Sequence, residues 1–97
     1  MAVKNNLSKH TTSSSTRVSL TTSDYTVTSD GFVDVEANGD NSYVTVLING
    51  TCIISTKGIT VGGSGVWQGN SVFVRKGMTA KIYNSSGNYA AYFFPIE

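Results

Sequence analysis

Nucleophilic catalysis, acid–base catalysis and metal binding all need His, Cys, Asp or Glu side chains held at fixed spacing, and this chain has few of them. His10 is the single histidine, and it falls in a polar stretch without apolar periodicity. A Ser-His-Asp or Cys-His arrangement needs its imidazole held rigidly beside the nucleophile, so that chemistry is not expected. Cys52 is the single cysteine. It precedes Ile53 and Ile54 in a β-rich run and is expected as a small buried hydrophobe. One cysteine cannot close an intrachain disulfide, and the ligand set for a structural zinc is missing. The internal carboxylates are Asp24, Asp30, Asp34, Glu36 and Asp40. Asp34 and Glu36 are two residues apart and share a face if the segment is a strand. Glycoside hydrolysis by such a pair also needs a cleft, so a solvated outer face is the expectation. Asp40 with Asn38 and Asn41 matches no EF-hand spacing and is explained by turn preference. No catalytic residue, metal or cofactor is expected, and the chain reads as a non-enzyme.

One constellation suggests binding rather than catalysis. Residues 57–70 hold five glycines and read as a loop, with Trp67 as its anchor. A tryptophan there could stack on a sugar ring, with Gln68, Asn70 and Tyr89 supplying hydrogen bonds. It could instead fold back as a plug over one end of the domain, since tryptophan is highly buried on average. The segment Val61–Gly69 lacks the Gly-Lys-Ser/Thr ending and the following helix of a phosphate loop.

The elements that must position these residues are strands. Ninety-seven residues make one domain. Ser, Thr, Asn and Gly dominate, while Val outnumbers Leu 11 to 3. That usage favours strand and opposes helix. Charged residues are 13% and net charge is +1, without the basic patch of a nucleic-acid binder. No apolar run is long enough to insert into a membrane as a helix. Residues 1–16 are polar and aperiodic and read as a flexible arm, with no secretory signal. Residues 17–97 read as a single antiparallel β-sandwich of about seven to eight short strands. Asn38–Ser42 and Asn84–Asn88 are turn clusters. Asn49-Gly50 between Tyr43–Ile48 and Thr51–Ser55 signals a hairpin. Val72–Arg75 and Met78–Tyr83 read as a second hairpin across Lys76-Gly77.

The strands carry more apolar residues than one small core needs. Opposite the Val44, Val46 and Ile48 face stand Tyr43 and Leu47. Opposite Val72 and Val74 stands Phe73. Tyr83 and Phe93 complete a second apolar face. A half-solvated antiparallel sheet alternates cleanly, so this face predicts a subunit interface, where aromatics are enriched and charge is depleted.

The passage Asn70–Tyr83 runs strand, Lys76-Gly77, strand, and is followed by a terminal aromatic strand. Together with Gly31–Glu36 and Tyr43–Thr51 it resembles the jelly-roll heads of the tumour necrosis factor and complement superfamily. It is also similar to small receptor-binding heads of bacteriophage tail fibres. The resemblance spans about residues 20–97. It implies a jelly roll that assembles as a homotrimer, a virion location, and a host-surface glycan or protein as partner. A monomeric carbohydrate-binding module using Trp67 is the alternative.

Overall fold

The computed structural model describes residues 16–96, and there the chain is all-β and antiparallel. The strands are β1 (Val18–Ser19), β2 (Tyr25–Thr26), β3 (Gly31–Ile48), β4 (Cys52–Lys57), β5 (Ile59–Val61), β6 (Ser64–Val74) and β7 (Thr79–Pro95). They form one seven-stranded sheet. The polar arm lies outside the described residues apart from Thr16, and so does His10.

Two strands are far longer than the sequence suggests. Neither Asn38–Ser42 nor Asn84–Asn88 ends a strand; both are bends inside β3 and β7. Between the pairs Asn38↔Asn88 and Tyr43↔Ser86, residues 39–42 of β3 face Gly87 alone. Gly39, Asn41 and Gly87 take φ of 86°, 68° and 74°, a region that favours Gly and Asn. This bulge changes which residues face inward. Val33, Val35 and Ala37 are buried before it, and Ser42, Val44, Val46 and Ile48 after it. An uninterrupted strand would have sent the second set outward. The buried Ser42 ties the bend together, its Oγ accepting from the Asn88 backbone N–H at 3.0 Å. A Cβ at Gly87 would overlap that Oγ.

The bend doubles the sheet onto itself. The Leu20 N–H donates to the Ala91 carbonyl, and the Ile82 N–H donates to the carbonyl of the next residue, Thr21. In a straight strand Ile82 and Ala91 would lie about 30 Å apart, beyond the reach of two adjacent residues. The β3–β7 ribbon therefore folds into two facing layers. One holds β1, the second half of β7, the first half of β3, β6 and β5. The other holds β2, the first half of β7, the second half of β3 and β4. With each bent strand split and β5 set aside, the chain-order segments read 1-8-3-6 and 2-7-4-5. This is jelly-roll order, a long hairpin rolled up so that 1 pairs 8, 2 pairs 7, 3 pairs 6 and 4 pairs 5.

The core lies between the layers. Val33, Val35 and Phe93 come from one, and Val44, Val46, Ala80 and Ile82 from the other. Leu20 and Val27 fill the side lined by β1 and β2. The Phe93 ring lies over Gly31, where a Cβ would strike both that ring and the Phe94 carbonyl. Only glycine permits this approach. Val72–Arg75 and Met78–Tyr83 do not pair: β6 and β7 both pair with β3, and residues 75–78 cross between layers. Asp30 Oδ1 holds that crossing by accepting from the Lys76 N–H at 2.9 Å.

The Asn49-Gly50 turn is as its dipeptide predicts, with φ of 54° and 73° and the Thr51 N–H donating to Ile48. Asn49 Oδ1 also accepts from the Thr79 N–H at 3.0 Å. A Cβ at Gly50 meets nothing within 4 Å, so substitution there tests backbone strain alone. Gly50→Val is expected to lose roughly 1–3 kcal/mol in denaturant unfolding. An unchanged midpoint would show that the turn relaxes without cost.

Candidate functional site

The outer face of the first layer carries the side chains that the core does not use. Val33 and Val35 point inward, so the even-numbered residues Phe32, Asp34, Glu36 and Asn38 point outward, and their directly paired neighbours point with them. Four rows cross this face: Phe94–Phe32–Phe73, Tyr92–Asp34–Ser71, Ala90–Glu36–Gly69 and Asn88–Asn38–Trp67. The face thus has an aromatic end and, about 20 Å away along β6, a tryptophan end.

At the aromatic end Phe32 and Phe73 meet edge to face at 5.8 Å between centroids. Tyr92 and Phe94, two residues apart on β7, do the same at 5.9 Å. Such pairs contribute roughly 0.5–1.5 kcal/mol beyond their buried area. The Arg17 guanidinium sits 4.2 Å above the Tyr92 ring, a cation–π contact that closes this end toward β1. Phe73 remains 47% exposed.

At the other end, residues 57–70 are not a loop. β5 and the start of β6 form a hairpin across Gly62-Gly63, with Ile59↔Val66 and Val61↔Ser64. Both glycines have positive φ, as a tight two-residue hairpin turn requires. Trp67 is 49% exposed on the outer face and does not plug the domain end. As the sole tryptophan, it is expected to be quenched readily by acrylamide and iodide in the native protein. Quenching that appears only on unfolding would contradict this placement.

The partners expected for Trp67 are not beside it. Gln68 pairs with Ala37 and Asn70 with Val35, while Tyr89 pairs with Ala37 from the other side. All three therefore share the inward face, opposite to Trp67. Asn70 is also engaged within the fold, its Nδ2 donating to the Ser55 carbonyl and its Oδ1 accepting from the Ser71 N–H. The spacing Gly65-x-Trp67-x-Gly69 could have marked the open flanks of the indole in advance. The cross-strand neighbours Glu36, Asn38 and Asn88 could not, because they depend on register.

The five residues of the predicted interface do not form one patch. Phe73 is on the outer face of the first layer. Tyr43 and Leu47 are half-buried on the outer face of the second, across from Lys57 and Ile53. Tyr83 is 65% exposed and lies at the irregularity between Thr45↔Asn84 and Val46↔Ile82. Phe93 is a core residue, 1% exposed, with its ring 6.0 Å from that of Tyr25. Ala80 and Ile82 are buried before the bend in β7 and Ala91 and Phe93 after it, so the inward set changes from even to odd positions and Phe93 falls in the core. Cys52 is exposed, not buried, because it is the first residue of the edge strand β4, right after the turn, even though its pairing partner Ile48 belongs to the core. Asp34 and Glu36 do share the outer face, where Asp34 lies between Tyr92 and Ser71 rather than in a cleft.

The fold and these surfaces define an antiparallel jelly-roll domain with an aromatic-bearing outer sheet face. Comparison with protein-family models, with curated proteins and with solved structures gives no match.

Proposed function

We propose that this jelly roll is a non-enzymatic structural and binding module that assembles as a homotrimer, and that it serves as a head or receptor-binding domain of a phage particle or related appendage. The observation that carries the reading is the outer face bearing Phe73, Phe32, Tyr92 and Phe94 in edge-to-face contact, with Phe73 half open to water. A second copy covering that end would remove the exposed ring from water without desolvating a charged side chain in the Phe94–Phe32–Phe73 row. The jelly-roll order supports the comparison with trimeric heads at the level of architecture alone. Light scattering on the full chain tests assembly. A mass three times the 10.3 kDa protomer is expected, and a monomer mass at high micromolar concentration would overturn the reading.

A further inference from the structure

The tryptophan end of the outer face is built differently from the aromatic end. Trp67 is the only ring in its row, and the residues two before and two after it on the same face, Gly65 and Gly69, have no side chains. The indole is thus left with low walls along the strand. Across the strands stand Glu36, opposite Gly69, and Asn38, opposite Trp67, with Asn88 beyond Asn38. The Asn38 side chain lies over Gly65, where a Cβ would overlap its Oδ1. Any larger residue at 65 would close this side of the surface.

Two other asparagines, Asn49 and Asn70, are employed structurally. Asn49 Oδ1 holds the start of β7, and Asn70 bonds at both ends of its amide. The side-chain amides of Asn38 and Asn88 make no hydrogen bond among the described residues, and no ion pair there engages the Glu36 carboxylate. Two amides and a carboxylate thus line one side of a half-exposed indole, the side toward β3 and β7, on regular strands.

We propose that this surface, Trp67 with Glu36, Asn38 and Asn88, binds a neutral pyranose sugar stacked on the indole. The C–H face of a pyranose carries slight positive charge and suits the negative face of an aromatic ring. Its equatorial hydroxyls leave in the ring plane, where donors and acceptors at the rim of the indole can meet them. The carboxylate accepts from hydroxyls, and the amides both donate and accept. The same carboxylate disfavours an anionic sugar, because a like charge brought beside it is repelled. The site sits on regular strands, which hold its geometry better than a loop would. The inference rests on the binding part of the function proposed above and not on trimer assembly, since the Phe73 row is about 20 Å away.

The test uses the full chain with lactose, maltose and chitotriose as neutral probes and sialyllactose as the anionic one. Tryptophan fluorescence reports the site directly, because no other tryptophan contributes. Affinity on the order of 1 mM is expected for a single stacked ring. At least one neutral probe should shift the emission, and sialyllactose should bind several-fold more weakly than lactose. Followed by NMR shift titration, Trp67→Ala should lose at least tenfold in affinity and Glu36→Gln several-fold, whereas Trp67→Phe should retain most of it. Phe73→Asp, which challenges assembly, should leave sugar affinity unchanged even if the mass falls. No response to any neutral probe at about ten times the expected dissociation constant overturns the proposal. Equal binding by Trp67→Ala, or shifts confined to residues off this face, does the same. Light scattering decides assembly separately, so either idea can fail alone.

Discussion

Replacing Phe93 by alanine is expected to cost about 3–5 kcal/mol, the usual loss for a fully buried phenylalanine. A small domain has a total stability of about 5–15 kcal/mol, so the variant should unfold at much lower denaturant or not fold at all. Phe93 is 1% exposed and contributes to the cluster of Val33, Val35, Val44 and Val46. Its ring also covers Gly31, where no side chain could refill the space from below. Phe93→Leu should recover much of the loss, because leucine restores part of the volume. Where Phe93→Ala still folds, the mass of its assembly in solution should correspond to the same number of subunits as the parent's. A variant with parental stability and reduced mass would place Phe93 at an interface and contradict the packing.

The opposite pattern is expected for Phe73→Asp. Phe73 is 47% exposed in the single chain, so the aspartate can stay hydrated in a monomer, whose folding then loses only the intrachain contact with Phe32 and the buried part of the ring. At an interface the aspartate would be desolvated without a partner. About half of a ring's area, roughly 100 Å², remains for a neighbour to cover, which amounts to about 2.5 kcal/mol per subunit. Three such positions offset part of the cost of association and make Phe73 the expected hot spot of the interface. The expected result is a monomer by light scattering, with a fall in melting temperature in which lost association adds to the lost Phe32 contact. Phe73→Leu should keep the parental mass. If Phe73→Asp leaves the mass unchanged, the assembly surface lies elsewhere or the chain is monomeric.

Local sequence features predicted local structure well. Val18 and Leu20 alternate and pack inward, and the positive φ at Asn49 and Gly50 follows from their residue types. Phe73 faces outward, as its position opposite Val72 and Val74 predicts, and Val74 is buried. A turn-rich cluster, by contrast, has two structural meanings. Asn, Gly, Asp and Ser favour a chain reversal and a β-bulge alike, since both use left-handed backbone. Asn38–Ser42 could thus be read as a turn between two strands when it is a corner within one.

The secondary structure class, the Asn49-Gly50 hairpin and the scarcity of catalytic groups are legible in the residues alone, because they depend on residue type and on neighbours a few positions away. Which residues share a face is legible only in the folded chain. Trp67 belongs with Asn38 and Asn88, and Phe73 with Phe32 and Phe94, through pairings of distant strands whose one-residue slip would exchange the faces. The same cause moved Phe93 from the expected surface to the core. Its direction depends on how many residues the β3–β7 corner consumes, and that number is set when two layers close on a common core, which no stretch of either strand encodes alone.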